Sequence, residues 1–256
     1  MLDLYPQIIA YLQSASQRLQ TQMGQISDIG ITKKYLTAED LRIERDLKAL
    51  IHQHHPQHGF FAEEENDQWL NQEDVWVVDP ISGTQSFIKG LAHYGIVISH
   101  LHQGQTVFAA IADPSTQTLY TAYKNGGSYK NGERLQMYPP SDHPKIILHL
   151  ALSWPDPAQA QAIFSKLTKY SRLYRTWASQ GVNYCHIASG IYDGGFFAVK
   201  DNFPDFAGRL IIEEGGGMFR NLQDTNEISP SDRIFWAGHP DLYPELRELL
   251  IPLFKK

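Results

Sequence analysis

The sequence predicts a mixed α/β fold, and three observations predict it. Two amphipathic helical segments open the chain. Strand-like text then runs from Gly59 to about Leu135. From Ile146 onward strands and helices alternate, the pattern of a layered α/β half. The chain has 256 residues, enough for one large domain or two small ones with a substantial core.

The elements follow in order. Leu4, Ile8, Ile9, Leu12 and Leu19 recur at helical spacing, and Gly24 stops the first helix. Thr37 and Asp40 have the spacing of an N-cap and the acid three residues on, ahead of the apolar positions Leu41, Leu47, Leu50 and Ile51. A second helix is therefore predicted from Thr37, ended by the loop His52 to His58 around Pro56. That His-rich run reads as a solvated linker, able to bind metal only adventitiously. Val75 to Val78, Tyr94 to Leu101 and Thr106 to Ala112 are rich in β-branched and aromatic residues and predict strands. Gly126-Gly127 and Asn131-Gly132 predict hairpin turns. Pro139-Pro140 is the best boundary, dividing 1–139 from 140–256.

In the second half, strands are predicted at Ile146 to Leu152, Arg172 to Tyr174, Gly195 to Val199 and Ile234 to Ala237. Helices are predicted at Pro157 to Tyr170, Ser179 to Ala188, Asp205 to Glu214 and Pro240 to Leu253. Gly190 and Gly215-Gly216-Gly217 close the second and third of these helices.

Hydrophobic residues make up 42% and charged residues 20%, ordinary for a soluble globular protein. The net charge of -6 argues against a general nucleic-acid binder. No apolar run reaches the ~20 residues that span a bilayer, and the opening Met-Leu-Asp-Leu-Tyr-Pro lacks the basic-then-apolar form of a secretory signal. The lone Cys185 has no partner for an intramolecular disulfide and reads as a buried structural thiol. Cytoplasmic residence is the expectation, with no membrane or nucleic-acid partner.

Chemistry concentrates in Trp76-Val77-Val78-Asp79-Pro80-Ile81-Ser82-Gly83-Thr84, with Glu63-Glu64-Glu65 just upstream. If Glu63, Asp79 and Asp40 converge with a phosphate ester, every group is negative. At ~4 Å and an effective dielectric of ~20 each like-charge pair costs about 4 kcal/mol, so such a site needs cations. Oxygen ligands without nearby Cys point to Mg²⁺ or a similar hard ion, and Mn²⁺ can substitute. Glu63, Asp79 and the backbone carbonyl of Ile81 suffice for one ion. A helix starting at Gly83-Thr84 points free N–H groups at the phosphate, and Thr84 with Asp40 can position or deprotonate a water. Ser82 stands where a second carboxylate would be most useful; its hydroxyl can ligate Mg²⁺ but brings no charge. Singly, these segments are a common turn, a solvated acidic loop and a helix cap. Their combination is what argues for a phosphate-and-metal site. Lys89, Lys200 and Arg209 are further candidate phosphate contacts, though such a residue is more often a surface cation.

These residues resemble the inositol monophosphatase family of Mg²⁺-dependent phosphatases nearly end to end. Thr37 to Asp40 resembles its Thr-x-x-Asp segment, and Phe60-Phe61-Ala62-Glu63-Glu64 its Gly-Glu-Glu segment. Trp76 to Phe87 resembles its Trp-x-x-Asp-Pro-Ile-Asp-Gly-Thr-x-x-Phe signature, and Gly127 to Gly132 its Gly-x-x-x-Asn-Gly hairpin. Ile187 to Gly190, Asp193-Gly194 and Glu214 to Gly217 resemble later landmarks. The resemblance implies a layered αβαβα fold, with an α+β N-terminal half, an α/β C-terminal half and the site between them. It implies hydrolysis of a small phosphorylated metabolite by metal-activated water without a phosphoenzyme, and commonly a homodimer. It also places Glu214 near the substrate pocket.

Two positions depart. The family has Asp where this chain has Ser82, and Trp-Asp before Ala-Ala-Gly where this chain reads Phe203-Pro204-Asp205-Phe206-Ala207-Gly208. Pro204 takes the place of that Asp, and one step along a helix swings Asp205 by ~100°. Both positions help to hold the family's second metal, so the chain keeps the first metal's ligands and has lost or rebuilt the second's. Asp205 or Asp201 could partly compensate, and weak Li⁺ inhibition is expected. The leading expectation is a phosphatase acting on an inositol-like or related polyol or sugar phosphate. The alternatives are a non-catalytic phosphate-binding or regulatory member of the fold, and chemistry on nucleotide 3′-phosphates or sugar bisphosphates.

Overall fold

Two β-sheets share one pair of helices between them, and the apolar alternation along the strands explains why. A computed structural model describes residues 4–31, 34–64, 72–150, 156–176, 178–229 and 231–254. The chain opens with α1 (Leu4–Gln22) and α2 (Ala38–His54), then β1 (Gly59–Ala62), β2 (Asp74–Ser82), the short α3 (Thr84–Ile88), β3 (Gly95–His102), β4 (Gln105–Asp113), β5 (Thr118–Tyr123), β6 (Gly127–Lys130) and β7 (Glu133–Arg134). These strands form a seven-stranded sheet in sequence order. Only the β1–β2 pair is parallel.

The chain continues with β8 (Lys145–Leu150), α4 (Pro157–Tyr170), β9 (Arg172–Arg175), α5 (Gln180–Ala188), β10 (Gly194–Ala198), α6 (Phe203–Glu214), β11 (Met218–Asn221), β12 (Ile234–Gly238) and α7 (Tyr243–Leu250). The second sheet has five strands in the order β11-β12-β10-β8-β9. The helical crossovers make β8 parallel to both β9 and β10, while β12 runs antiparallel to its neighbours. Pro139-Pro140 lies in the connection between the two sheets.

Successive strand side chains point to opposite faces, and both faces here are apolar. Trp76, Val78, Ile96, Ile98, Phe108 and Ala110 pack with the buried stripe of α1 and α2. On the opposite face, Val97, Ala109 and Ile111 join Tyr184 and Ile187 of α5, Leu210 and Ile211 of α6, and Ile147, Phe197 and Phe235 of the second sheet. The outer face of that sheet, Ile146, Phe196 and Trp236, is covered by Ile163 and Leu167 of α4 and Leu246 and Leu250 of α7. The result is the layered αβαβα sandwich that the resemblance implies. Each fully buried large side chain contributes roughly 1.5–3 kcal/mol. The central helices approach closely at Gly208, where a Cβ would lie 2.0 Å from the Tyr184 ring. Any side chain at 208 would force α5 and α6 apart.

Some elements differ from the sequence expectation. The predicted Pro240 to Leu253 helix is a 3₁₀ turn, α7 and a second 3₁₀ turn. Pro240 and Pro252 lack the N–H that a continuous helix needs. His52 and His54 belong to α2, so the His loop is shorter than predicted. Strand β11 has no distinct signal, because a four-residue edge strand supplies too few alternations. Residues 1–3, Glu65 and the end of the predicted Ile146 to Leu152 strand lie outside the described residues. Among the described residues no helix is long and apolar enough to cross a membrane.

Candidate metal and phosphate site

The parallel register of β1 and β2 sets the acidic centre. Ala62 pairs with Val78, so Glu63, the first residue beyond β1, comes out beside Asp79, which is still within β2. Neighbouring strands lie only ~4.8 Å apart. Asp79 is buried and its Oδ1 has no hydrogen-bond partner. Burial drives its carboxyl well above the usual range, and the charges of Glu63 and Asp201 push the same way. Glu63 and Asp79 also share a hydrogen bond, while a bond with Ser82 acts in the opposite sense. Two carboxylates can share a bond only if one holds a proton. A divalent ion could replace that proton, and the bare Asp79 oxygen is a ready ligand.

Beyond Asp79 the strand bulges. Asp79 faces Val97 and Ser82 faces Gly95, so β2 carries one extra residue across this interval. Such a bulge re-aims side chains next to a site. It turns the chain into Gly83, the N-cap of α3, at φ 86°. A Cβ on Gly83 would meet Ser179 N at 2.8 Å and His93 O at 3.1 Å, so both conformation and space demand glycine here. The first N–H groups of a helix have no intrahelical acceptor, and those of α3 open beside the acids.

Asp40 reaches the site from α2. Its Oδ2 accepts the Thr37 N–H at 2.8 Å and the Thr37 hydroxyl at 2.6 Å. Oδ1 remains for the Thr84 hydroxyl at 3.2 Å. Thr84 Oγ1 also lies 2.7 Å from the Ile81 carbonyl. The helix cap thus fixes the carboxylate that faces Thr84, and one motif does both jobs. Burial first, opposed by the Thr37 hydrogen bond, and then the nearby charges of Glu64 and Glu63 set Asp40, whose pKa is pushed up to about 7. A base with that pKa can take and return a proton near neutrality.

Asp205 and Glu214 sit differently. Asp205 is fully buried in the first turn of α6, where Tyr184 and Gln180 of α5 both donate to its Oδ1. Its Oδ2 has no hydrogen-bond partner, and burial holds its carboxyl well above the usual range. Asp201 is the acid whose charge acts on both Asp79 and Asp205. Glu214 accepts from Asn125 N at 2.7 Å and Gly127 N at 2.9 Å, pinning the β5–β6 hairpin to the end of α6. Arg209 donates to Asn226 O at 2.5 Å and faces Glu213, beside a groove of about 570 Å³ that Glu214 also lines. Lys89 and Lys200 are exposed. Cys185 is fully buried, and burial pushes its thiol up, as suits a structural residue.

Sequence reasoning did not single out Glu44. It lies one turn after Asp40, fully buried, and accepts the Glu64 N–H at 3.1 Å, which holds the Glu63-Glu64 turn against α2. The i,i+4 spacing from Asp40 was the available signal. Ser179 was also missed as the backbone on which Gly83 rests.

Comparison with known proteins identifies the family and the fold. The model of the inositol monophosphatase family matches residues 7–256. The chain is 32% identical over 213 residues to Nus factor SuhB of Escherichia coli K12, covering 80% of this chain and 78% of that protein. An IMPase from Thermotoga maritima superposes with a TM-score of 0.85 at 19% identity, over 98% of both chains. SaIMPase-II of Staphylococcus aureus, solved with inositol monophosphate bound, superposes with a TM-score of 0.82 at 22% identity, over 99% of this chain and 96% of that one. With the family match running almost from end to end and the acids gathered at one end of the parallel strand pair, the chain belongs to the inositol monophosphatase family.

Proposed function

We propose that this protein hydrolyses a small phosphate monoester, an inositol-like or related polyol or sugar phosphate, with Mg²⁺ as cofactor and Mn²⁺ able to substitute. The observation that carries this is Asp79: buried, with one oxygen lacking a hydrogen-bond partner, its carboxyl pushed up by burial and by the charge of Glu63. Glu63, Asp79 and the Ile81 carbonyl would hold one ion, with Ser82 as a weak neutral neighbour. When bound, that ion would neutralise the ester and lower the pKa of water beside it. Gly83 and Thr84 bind the phosphate through their N–H groups. The Thr84 hydroxyl orients the attacking water, and Asp40 accepts its proton through Thr84. Asp201, rather than Asp205, is the extra acid on the α6 side, because its charge bears on Asp79. The family's usual homodimer belongs to the same proposal, as does the division of the chain at Pro139-Pro140 into two halves that share a core.

The test is phosphate release by the purified chain from a panel of inositol, polyol, sugar and nucleotide monophosphates and sugar bisphosphates with Mg²⁺ or Mn²⁺. Release from at least one polyol phosphate is expected, and no release from any member overturns the proposal. A second reading, a binding or regulatory protein without turnover, is favoured by Ser82 and Pro204 at two charged positions of the family pattern. The Nus factor name of the Escherichia coli relative points the same way. That reading predicts phosphate-ligand binding without hydrolysis.

A further inference from the structure

The His-rich end of α2 folds into a nitrogen-based cluster at the opposite end of β2 from Asp79. Asp74 and Asp79 are five residues apart in the strand, or about 16 Å at ~3.3 Å per residue. Ligand atoms of His58, Asp74 and His100 all lie within 4.8 Å of one another. His100 Nε2 is 2.9 Å from Asp74 Oδ1, and His58 Nε2 is 3.7 Å from Asp74 Oδ2. His102, paired with Asp74 across the β2–β3 ladder, places Nδ1 2.9 Å from the same Oδ1. His100 is fully buried, and the His102 side chain is 38% exposed, which leaves one side open to solvent. No step of the proposed hydrolysis uses any of these groups.

We propose that His58, Asp74 and His100 form a Zn²⁺ site, closed on its exposed side by His102. Two imidazoles and a carboxylate are borderline donors that suit Zn²⁺ and disfavour Mg²⁺, which prefers oxygen. One outer acceptor is in place, the Tyr5 hydroxyl 2.9 Å from His100 Nδ1, whereas Trp76 Nε1 donates to His58 Nδ1 at 3.2 Å and has to give way when the ion binds. These contacts fix the proton balance. The indole can only donate, so neutral His58 carries its proton on Nε2, facing Asp74. Coordination through Nε2 moves that proton to Nδ1 and breaks the indole bond. In His100 the proton likewise moves to Nδ1, and Tyr5 turns from donor to acceptor. The His58 and His100 rings, now 15° from parallel with centroids 5.6 Å apart, tilt toward the ion. The bound ion clips the loop after α2 to β2 and β3.

The experiment titrates the full chain, already saturated with Mg²⁺, first with Co²⁺ and then with Zn²⁺. One Co²⁺ per chain is expected, with a visible absorption band of a low-coordinate nitrogen and oxygen site that Zn²⁺ abolishes. His58→Ala is expected to weaken Zn²⁺ at least about tenfold, and His102→Ala less. Asp79→Asn is expected to keep the site. Zn²⁺ should also raise Tm in the parent chain and not in His58→Ala, which separates a lost ligand from a lost fold. A band that survives His58→Ala and disappears in Asp79→Asn would assign the ion to the oxygen site and overturn the proposal. So would the absence of any band.

Discussion

Asp40 and Asp205 are both buried acids with raised pKa values, and they do opposite things. Asp40 divides its oxygens: one is spent on the cap of α2, and the other faces Thr84 and the cleft. Asp205 turns one oxygen to Tyr184 and Gln180 and leaves the other without a partner among the helices. Burial and a shifted pKa are therefore common to a group proposed to act in the chemistry and a group that ties two helices together. The direction of the hydrogen bonds tells them apart. The same contrast separates the two halves of the molecule. The first half supplies Glu63, Asp79, Asp40 and Thr84 in one converging set. The second half supplies Asp201 from the turn before α6, while α6 itself directs Asp205 at α5.

The largest expected effect sharpens the first side. Asp79→Asn should lower kcat/KM by about 10³-fold, since it removes the buried charge proposed to hold the ion. Asp40→Asn should cost about 10²-fold, mostly in kcat, with Mg²⁺ affinity kept. Loss of Mg²⁺ binding in Asp40→Asn would break the division of labour between the two acids. Ser82→Asp should add a second Mg²⁺ in calorimetric titration, raise turnover about tenfold and sensitise the enzyme to Li⁺. An unchanged ion count would mean that the second position has been rebuilt without need of this carboxylate.

The stability effects are smaller. Asp40, held near pH 7 in the folded chain and near 3.8 when unfolded, leaves the folded state with more bound protons between those values. Its contribution to stability therefore falls as pH rises from about 4 through 7. In EDTA, Tm should be higher at pH 5 than at pH 8. Mg²⁺, if it binds at Asp79 as proposed, should narrow that gap and release protons on binding. Asp205→Asn should come last, costing about 1 kcal/mol of stability and less than about threefold in kcat/KM. A large loss of activity there would erase the contrast.

Much of this arrangement was legible because short-range chemistry and strand register carry it. The cap at Thr37 and Asp40 is a local pattern. Glu63 follows one apolar strand and Asp79 follows the apolar run of the other, and parallel pairing places them side by side. The αβαβα layering came from the family resemblance, and the two-faced apolar strands show the physical reason for it. What could not be read was the direction of side chains from helices whose rotation depends on tertiary packing. The one-residue offset at Pro204 and Asp205 was visible, but nothing in the sequence said that Tyr184 and Gln180 would receive the displaced acid. Nor could the sequence show that Glu214 would also accept from the backbone of the β5–β6 hairpin. The cluster of His58, Asp74 and His100 was not foreseen, because only His58 lies in the run read as a linker and the other two come from separate segments.

The α5–α6 pair packs against strands of both sheets at once, with Gly208 letting the two helices touch. A clamshell enzyme admits its substrate by swinging two lobes about a hinge. Here the wedge that would have to open is the shared core. Ligand entry must then be governed by peripheral segments, and a chain severed near Pro139 should yield fragments that expose a broad apolar face and precipitate instead of folding alone.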